Sequence, residues 1–144
     1  MMETLLQPAI HAAVRPTEVP VRLPYGILGF EQHTDWVLIS VPGEEPFQWL
    51  QVVDDPRLAF VVVAPEAVTA NYFPDLSPDD VEKIGLESSD DAMTLNIVTI
   101  RPNGQSTVNL KGPIILNRHT LTGKQVIPVN AIGLNVQHPL PVDA

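Results

Sequence analysis

The 144-residue chain contains no cysteine. That absence excludes a disulfide framework, a thiolate metal site and a thiol nucleophile together. Basic residues are also few, eight against seventeen acidic ones, for a formal net charge of −9. A chain this acidic repels phosphate backbones, so direct nucleic-acid binding is not expected. Long apolar runs are missing. The longest, near residues 58–65, is far below the ~20 residues needed to cross a bilayer. The opening Met-Met-Glu-Thr-Leu-Leu-Gln-Pro has neither the basic start nor the unbroken apolar stretch of a secretion signal. A cytoplasmic protein without a membrane partner is expected. Aromatic residues make up only 6%, so one core of Val, Ile, Leu and Ala has to hold a single domain together.

Proline, by contrast, is abundant, with 15 residues spread from Pro8 to Pro141. Prolines rarely sit inside helices or central strands, so many short elements are expected. Residues 18–23 alternate as Glu-Val-Pro-Val-Arg-Leu, an extended segment whose Pro20 suits an edge. Residues 36–41 and 47–53 read as strands, the second closed by Asp54-Asp55-Pro56. Residues 58–64 are continuously apolar and read as a strand buried on both faces. Residues 94–100 and 105–110 flank Arg101-Pro102-Asn103-Gly104 as a hairpin. A turn at 120–123 separates strands at 114–117 and 125–129. One short helix is expected near 77–85. Ser77 caps it, Pro78 starts it, and Asp79 and Asp80 lie at its positive dipole end. Val81 and Ile84 face the core, and Gly85 closes it. The fold class is therefore all-β, a mainly antiparallel barrel or compact sandwich with one helix. Residues 1–17 and 137–144 are expected to be flexible flanks.

Signals for catalysis are weak. His11, His33, His119 and His138 show no ligand spacing, and His33-Thr34-Asp35 reads as a solvated loop rather than a metal site. There is no nucleophile elbow and no phosphate-cradling glycine loop. The pair Asp54-Asp55 offers the nearest thing to acid–base chemistry, but a turn before Pro56 leaves both in water. No catalytic, cofactor or metal residue is assigned. Phe47 and Trp49 alternate without basic neighbours, unlike a nucleic-acid stacking platform, and one face of their strand is a candidate surface for a partner. Charge is uneven. Between residues 54 and 91 ten carboxylates face only Arg57 and Lys83, whereas Arg101, Lys111, Arg118 and Lys124 occupy a stretch without acidic residues. An acidic face steers basic partners.

Several segments together resemble the flagellar assembly factor FliW family. Leu23-Pro24-Tyr25-Gly26-Ile27-Leu28-Gly29-Phe30-Glu31 is similar to its glycine-rich opening signature. Pro46-Phe47-Gln48-Trp49-Leu50-Gln51 is similar to a Pro-Phe-x-x-Leu-Gln strand, and Asp55-Pro56-Arg57-Leu58-Ala59-Phe60 to the turn and strand after it. Asn109-Leu110-Lys111-Gly112-Pro113-Ile114 and Gln125-Val126-Ile127 complete a match over roughly residues 18 to 135. Val52 stands where the family usually has a small hydroxyl residue, and the lead before Val19 is longer than usual.

The resemblance implies a non-catalytic, protein-binding regulator without a cofactor. It would bind the RNA-binding repressor CsrA, relieve its block on flagellin translation, and bind flagellin in a reciprocal switch. Gln51, Asp54, Asp55 and Glu66 are the first candidates for partner contact, with Glu31 and Asn109 behind them. Asn109 equally suits a structural bend before Pro113. Two rival readings stay open: a small hydrolase or isomerase using Asp54 or Asp55, and a small-ligand-binding barrel.

Overall fold

The computed structural model describes residues 15–140; 1–14, with His11, and 141–144 lie outside. Strands β1 (Thr17–Arg22), β2 (Asp35–Ser40), β3 (Phe47–Val52) and β4 (Ala59–Val63) form an antiparallel meander. The long β5 (Ala92–Ile100) pairs with β4 on one side and forks on the other. Its second half pairs with β6 (Ser106–Val108), its first half with β7 (Ile114–Asn117). β8 (Gly123–Gln125) completes a hairpin with β7, and β9 (His138–Pro139) pairs with β6. The two ends of the curled sheet meet where the Arg22 N–H donates to the Leu121 carbonyl at 3.0 Å, beside a parallel bridge to Thr122. The expected all-β architecture is therefore realised as a barrel.

Period-two alternation fills it. Trp36, Leu38, Leu50, Val52, Val62 and Leu95 face inward and form one core with Ile114 and Leu116. Each side chain of this size contributes about 1.5–3 kcal/mol on burial. The alternate residues Ile39 and Trp49 face outward and pack with Val41 in a second cluster. β1 is an edge strand with Pro20 exposed, as its sequence indicates.

The helix α1 (Pro78–Ile84) begins and ends where its caps place it. The Asp80 N–H donates to the Ser77 Oγ at 3.1 Å. Gly85 takes the left-handed conformation (φ 76°) that lets its N–H reach the Val81 and Glu82 carbonyls. Ile84 is buried against Ile115 and Val126.

Several expectations need correction. Val81 is only half-buried, whereas Asp80, expected to serve the helix dipole, is buried with its carboxylate 2.6 Å from Lys124 Nζ. The helix turns that side toward β8, and an ion pair replaces an apolar contact. β4 is not buried throughout: Ala59, Phe60 and Val61 are half-buried, and only Val62 and Val63 are fully covered. The strand expected at 125–129 lies at Gly123–Gln125 instead. The Val126 N–H goes to the Pro113 carbonyl, and Pro128 has no N–H to continue a ladder. The expected flexible tail from Gln137 pairs with β6 at His138–Pro139, and the Leu140 N–H reaches the Ser106 carbonyl. At the other flank Thr17 already belongs to β1. Finally, Trp49 and Leu50 are both buried, so β3 offers no freely exposed aromatic face. The Trp49 indole N–H donates to Glu44 at 3.1 Å.

Candidate functional site

The glycine-rich opening segment is anchored from within. Leu23 and Ile27 are buried in the barrel core, so the backbone between and beyond them is pulled tight and Tyr25 and Leu28 are thrown outward. Gly26 makes the bend at φ 66°, and a Cβ there would lie 2.5 Å from both the Phe30 carbonyl oxygen and the Glu31 Cα. Only glycine fits. The Glu31 carboxylate accepts the Gly29 N–H at 3.1 Å. That bond, helped by Glu31's own N–H, holds the carboxyl below its usual range.

A second tight segment faces the first. Asn109 Oδ1 accepts the N–H groups of Lys111 and Gly112 at 2.9 and 3.0 Å, an Asx turn that points the chain toward Pro113. Gln125 then joins the two segments. Its Oε1 accepts the Leu28 N–H at 2.8 Å, and its Nε2 donates to the Gly112 carbonyl at 3.0 Å.

An open groove of about 450 Å³ lies over this frame. Its apolar lining is Tyr25, Leu28, Ile127 and Val136, with fractional exposures of 51, 79, 64 and 49%. Its charged groups are Glu31, Lys111 and Lys124. Lys124 is held by Asp80, and the Tyr25 ring lies 5.4 Å from Lys83 Nζ and 5.9 Å from Lys124 Nζ. Lys83 itself pairs with Asp79 one turn earlier.

The six residues singled out by sequence do not form one site. Glu31 and Asn109 line the groove. Gln51 lies near the C-terminal end of β3, and Asp54 and Asp55 follow in the turn to β4. Glu66 lies beyond the far end of β4, in a single 3-10 turn at Pro65–Ala67. Because β3 and β4 are antiparallel, the end of one lies beside the start of the other. Gln51 is partly buried and, among the described residues, its Oε1 has no hydrogen-bond partner. Asp55 accepts Arg57 Nε at 2.9 Å and Arg57 Nη2 at 3.2 Å. That guanidinium holds the Asp55 carboxyl below its ordinary value, the opposite of what a neutral general acid requires. Of the two residues the hydrolase reading names, Asp55 is thus unsuited to an acid role.

Tyr25, Leu28, Lys111, Lys124, Gln125 and Ile127 were not singled out as contact residues. Leu28 and Ile127 are apolar and read as core until the backbone anchors beside them turn them outward. Among the described residues no group of three or more His, Asp or Glu side chains is placed to hold a metal ion. No described helix is long and apolar enough to span a membrane.

The class is now defined: a small antiparallel β-barrel, filled by its own side chains, whose features lie in surface grooves and charged turns. A family model described as FliW protein matches residues 9–140. The flagellar assembly factor FliW of Leptospira biflexa is 43% identical over 110 residues, covering 74% of this chain and 71% of that protein. The Geobacter sulfurreducens flagellar assembly factor FliW is 37% identical over 108 residues, covering 74% and 67%. A crystal structure of the flagellar assembly factor FliW superposes with a TM-score of 0.76 at 32% identity, covering 86% of each chain. The chain belongs to the FliW family of flagellar assembly factors.

Proposed function

We propose that this flagellar assembly factor works as a non-catalytic partner switch in the cytoplasm, binding the translational repressor CsrA and, alternatively, flagellin. Free, it holds the repressor away from flagellin message; occupied by newly made flagellin, it lets the repressor go. Gln51, Asp54, Asp55 and Glu66 are the proposed contact residues for the basic repressor. Glu31 and Asn109, in the frame of the groove, are proposed contacts of second rank.

The observation that carries this reading is the unneutralised acidic surface. Of the ten carboxylates between residues 54 and 91, Asp55, Asp79, Asp80 and Asp91 have a cationic or histidine partner. Asp54, Glu66, Asp75, Glu82, Glu87 and Asp90 are exposed, and none has a cation within 4 Å among the described residues. A protein that holds RNA presents basic surfaces. An acidic body beside them is attracted to the protein and repels the nucleic acid. An interface of ~1,600 Å² is within reach of a domain this size.

The test is binding of purified CsrA and flagellin to this chain at two salt concentrations. Association with CsrA is expected to slow at high salt. Adding flagellin should release CsrA. The double reversal Asp54→Lys with Asp55→Lys should weaken CsrA binding and leave flagellin binding in place. Unchanged CsrA affinity in that variant removes the β3–β4 turn from the interface; failure to bind either protein ends the switch reading.

A further inference from the structure

We infer that the groove between the 24–31 turn, the 109–112 turn and the segment after β8 is a preformed docking site for a polypeptide segment that carries apolar side chains next to a carboxylate. The inference rests on the proposed switch only in taking the occupant to be a protein segment; the groove's chemistry stands on its own geometry.

Three features carry it. First, exposed large apolar side chains gather here: Tyr25, Leu28, Ile127 and Val136 turn toward one opening. Single exposed apolar residues are ordinary, but four around one groove are the mark of an interaction surface. The segment that supplies Ile127 and Val136 also presents Ile132 at 97% exposure, so the apolar character does not stop at the groove wall.

Second, the groove's walls are tied together by hydrogen bonds. Gln125 bridges its two sides, Asn109 closes one turn, Glu31 closes the other, and Gly26 has no room for a side chain. The apolar residues stand on separate backbone segments, the 24–31 turn and the chain after β8, which favours an open groove. A preorganised groove binds with less ordering cost than a pliant one.

Third, the charge at this site differs from the rest of the surface. The chain carries −9, yet the groove lining holds two lysines against one carboxylate. The Glu31 carboxylate is engaged by the Gly29 N–H, and Lys124 is neutralised by Asp80. Lys111 has no carboxylate within 4 Å among the described residues. Among the described residues its ammonium is the groove cation without a carboxylate partner, suited to a carboxylate on an incoming segment, while the surrounding acidic surface turns away a segment rich in negative charge. The occupant is thus mainly apolar with a carboxylate at one place. A basic surface, which suits the acidic β3–β4 turn, does not suit this groove.

The apolar anion 1-anilinonaphthalene-8-sulfonate serves as a probe, because its fluorescence rises when its rings leave water. Bound to the full chain, it should be displaced by a twelve-residue peptide with leucines along one helical face and a single glutamate beside them. The same peptide with lysine in place of glutamate should need at least five-fold more for the same displacement. Leu28→Asp and Ile127→Asp, both at exposed positions, should abolish probe and peptide binding with an unchanged thermal melt. Lys111→Glu should reverse the preference between the two peptides. Equal displacement by both peptides, displacement by neither, or full binding to Ile127→Asp overturns the assignment. The Asp54→Lys with Asp55→Lys variant keeps the two readings separable. If it loses CsrA while the groove fails these assays, only the groove assignment falls. If the groove behaves as stated while CsrA and flagellin are both ignored, only the switch falls.

Discussion

The groove and the β3–β4 turn are both surface loops, yet they are built in opposite ways. The groove's two turns are each closed locally, by Glu31 and Asn109, and are then tied together by a side chain reaching distant backbone: Gln125 bonds Leu28 across 97 residues of sequence. The β3–β4 turn is fixed mainly by its neighbours, with Asp55 holding Arg57 two residues on and the Leu58 N–H reaching the Asp55 carbonyl at 2.9 Å. One region is apolar with a lysine that has no carboxylate within 4 Å among the described residues; the other is anionic and largely exposed. A long-range frame makes shape, and a local turn displays charge. Substitutions in the bonded frame of the first, at Gly26 or Gln125, should therefore cost stability, whereas substitutions in the second should alter association and leave the fold nearly alone.

The strongest way to break this contrast is Gly26→Ala. The added Cβ collides with backbone at 2.5 Å and the residue stays at positive φ, so about 3 kcal/mol should be lost in urea unfolding. A loss below about 0.5 kcal/mol would show that the turn is pliant. Next, Asp80→Ala leaves Lys124 without its partner beside the groove. Because the lysine side chain keeps 21% exposure, about 2 kcal/mol is expected, under the range for a fully buried pair. Removing the bridge with Gln125→Ala should cost about 1 kcal/mol, since water can replace part of its bonding in an open groove.

A pH titration sharpens the contrast further. Glu31 and Asp55 both titrate below their ordinary values, one through a backbone N–H and the other through the Arg57 side chain. For a carboxyl lowered in the native state, the stability it contributes is complete above its unfolded value and is lost as the pH falls through the native one. Both groups therefore contribute to the acid limb of unfolding. Carbon-13 titration of the side-chain carboxyls at low and high salt should raise the Asp55 midpoint toward 3.8, because the Arg57 side chain is 88% exposed and screened. Glu31 should move less. Equal movement would place the two carboxylates in the same class. The smallest effect belongs to Asp54→Lys with Asp55→Lys, whose thermal melt should drop by no more than the exposed Asp55–Arg57 pair contributes while the proposed association with CsrA slows.

Much of the barrel could be read along the chain. Alternation placed β1 within a residue, and apolar runs bounded by turn residues placed β2 and β3 within a residue and β7 at its observed bounds. Ser77, Pro78 and Gly85 marked both ends of α1, because capping is chemistry between neighbours. Reading failed where partners are distant. Gln125 to Val129 has strand composition, but past Gln125 its backbone bonds go to Pro113 and Asp75 instead of a ladder, and its glutamine is drawn to Leu28 and Gly112. His138 and Pro139 look like a loose tail until β6 supplies an edge. Asp80 looks like a dipole residue until Lys124, 44 positions away, appears beside it. The groove was half legible: Glu31 and Asn109 stood out through the motifs around them, but Leu28 and Ile127 were indistinguishable from core.

The sequence by itself determined the all-β class, the capped helix at Pro78–Ile84, the acidic surplus and the family resemblance, since each follows from composition or from residues close together in the chain. Tertiary structure alone decided that Glu66 stands apart from Asp54 and Asp55, that Asp80 meets Lys124, and that four apolar side chains face solvent around one groove. Antiparallel pairing and barrel closure set which distant residues become neighbours, and no local pattern carries that information.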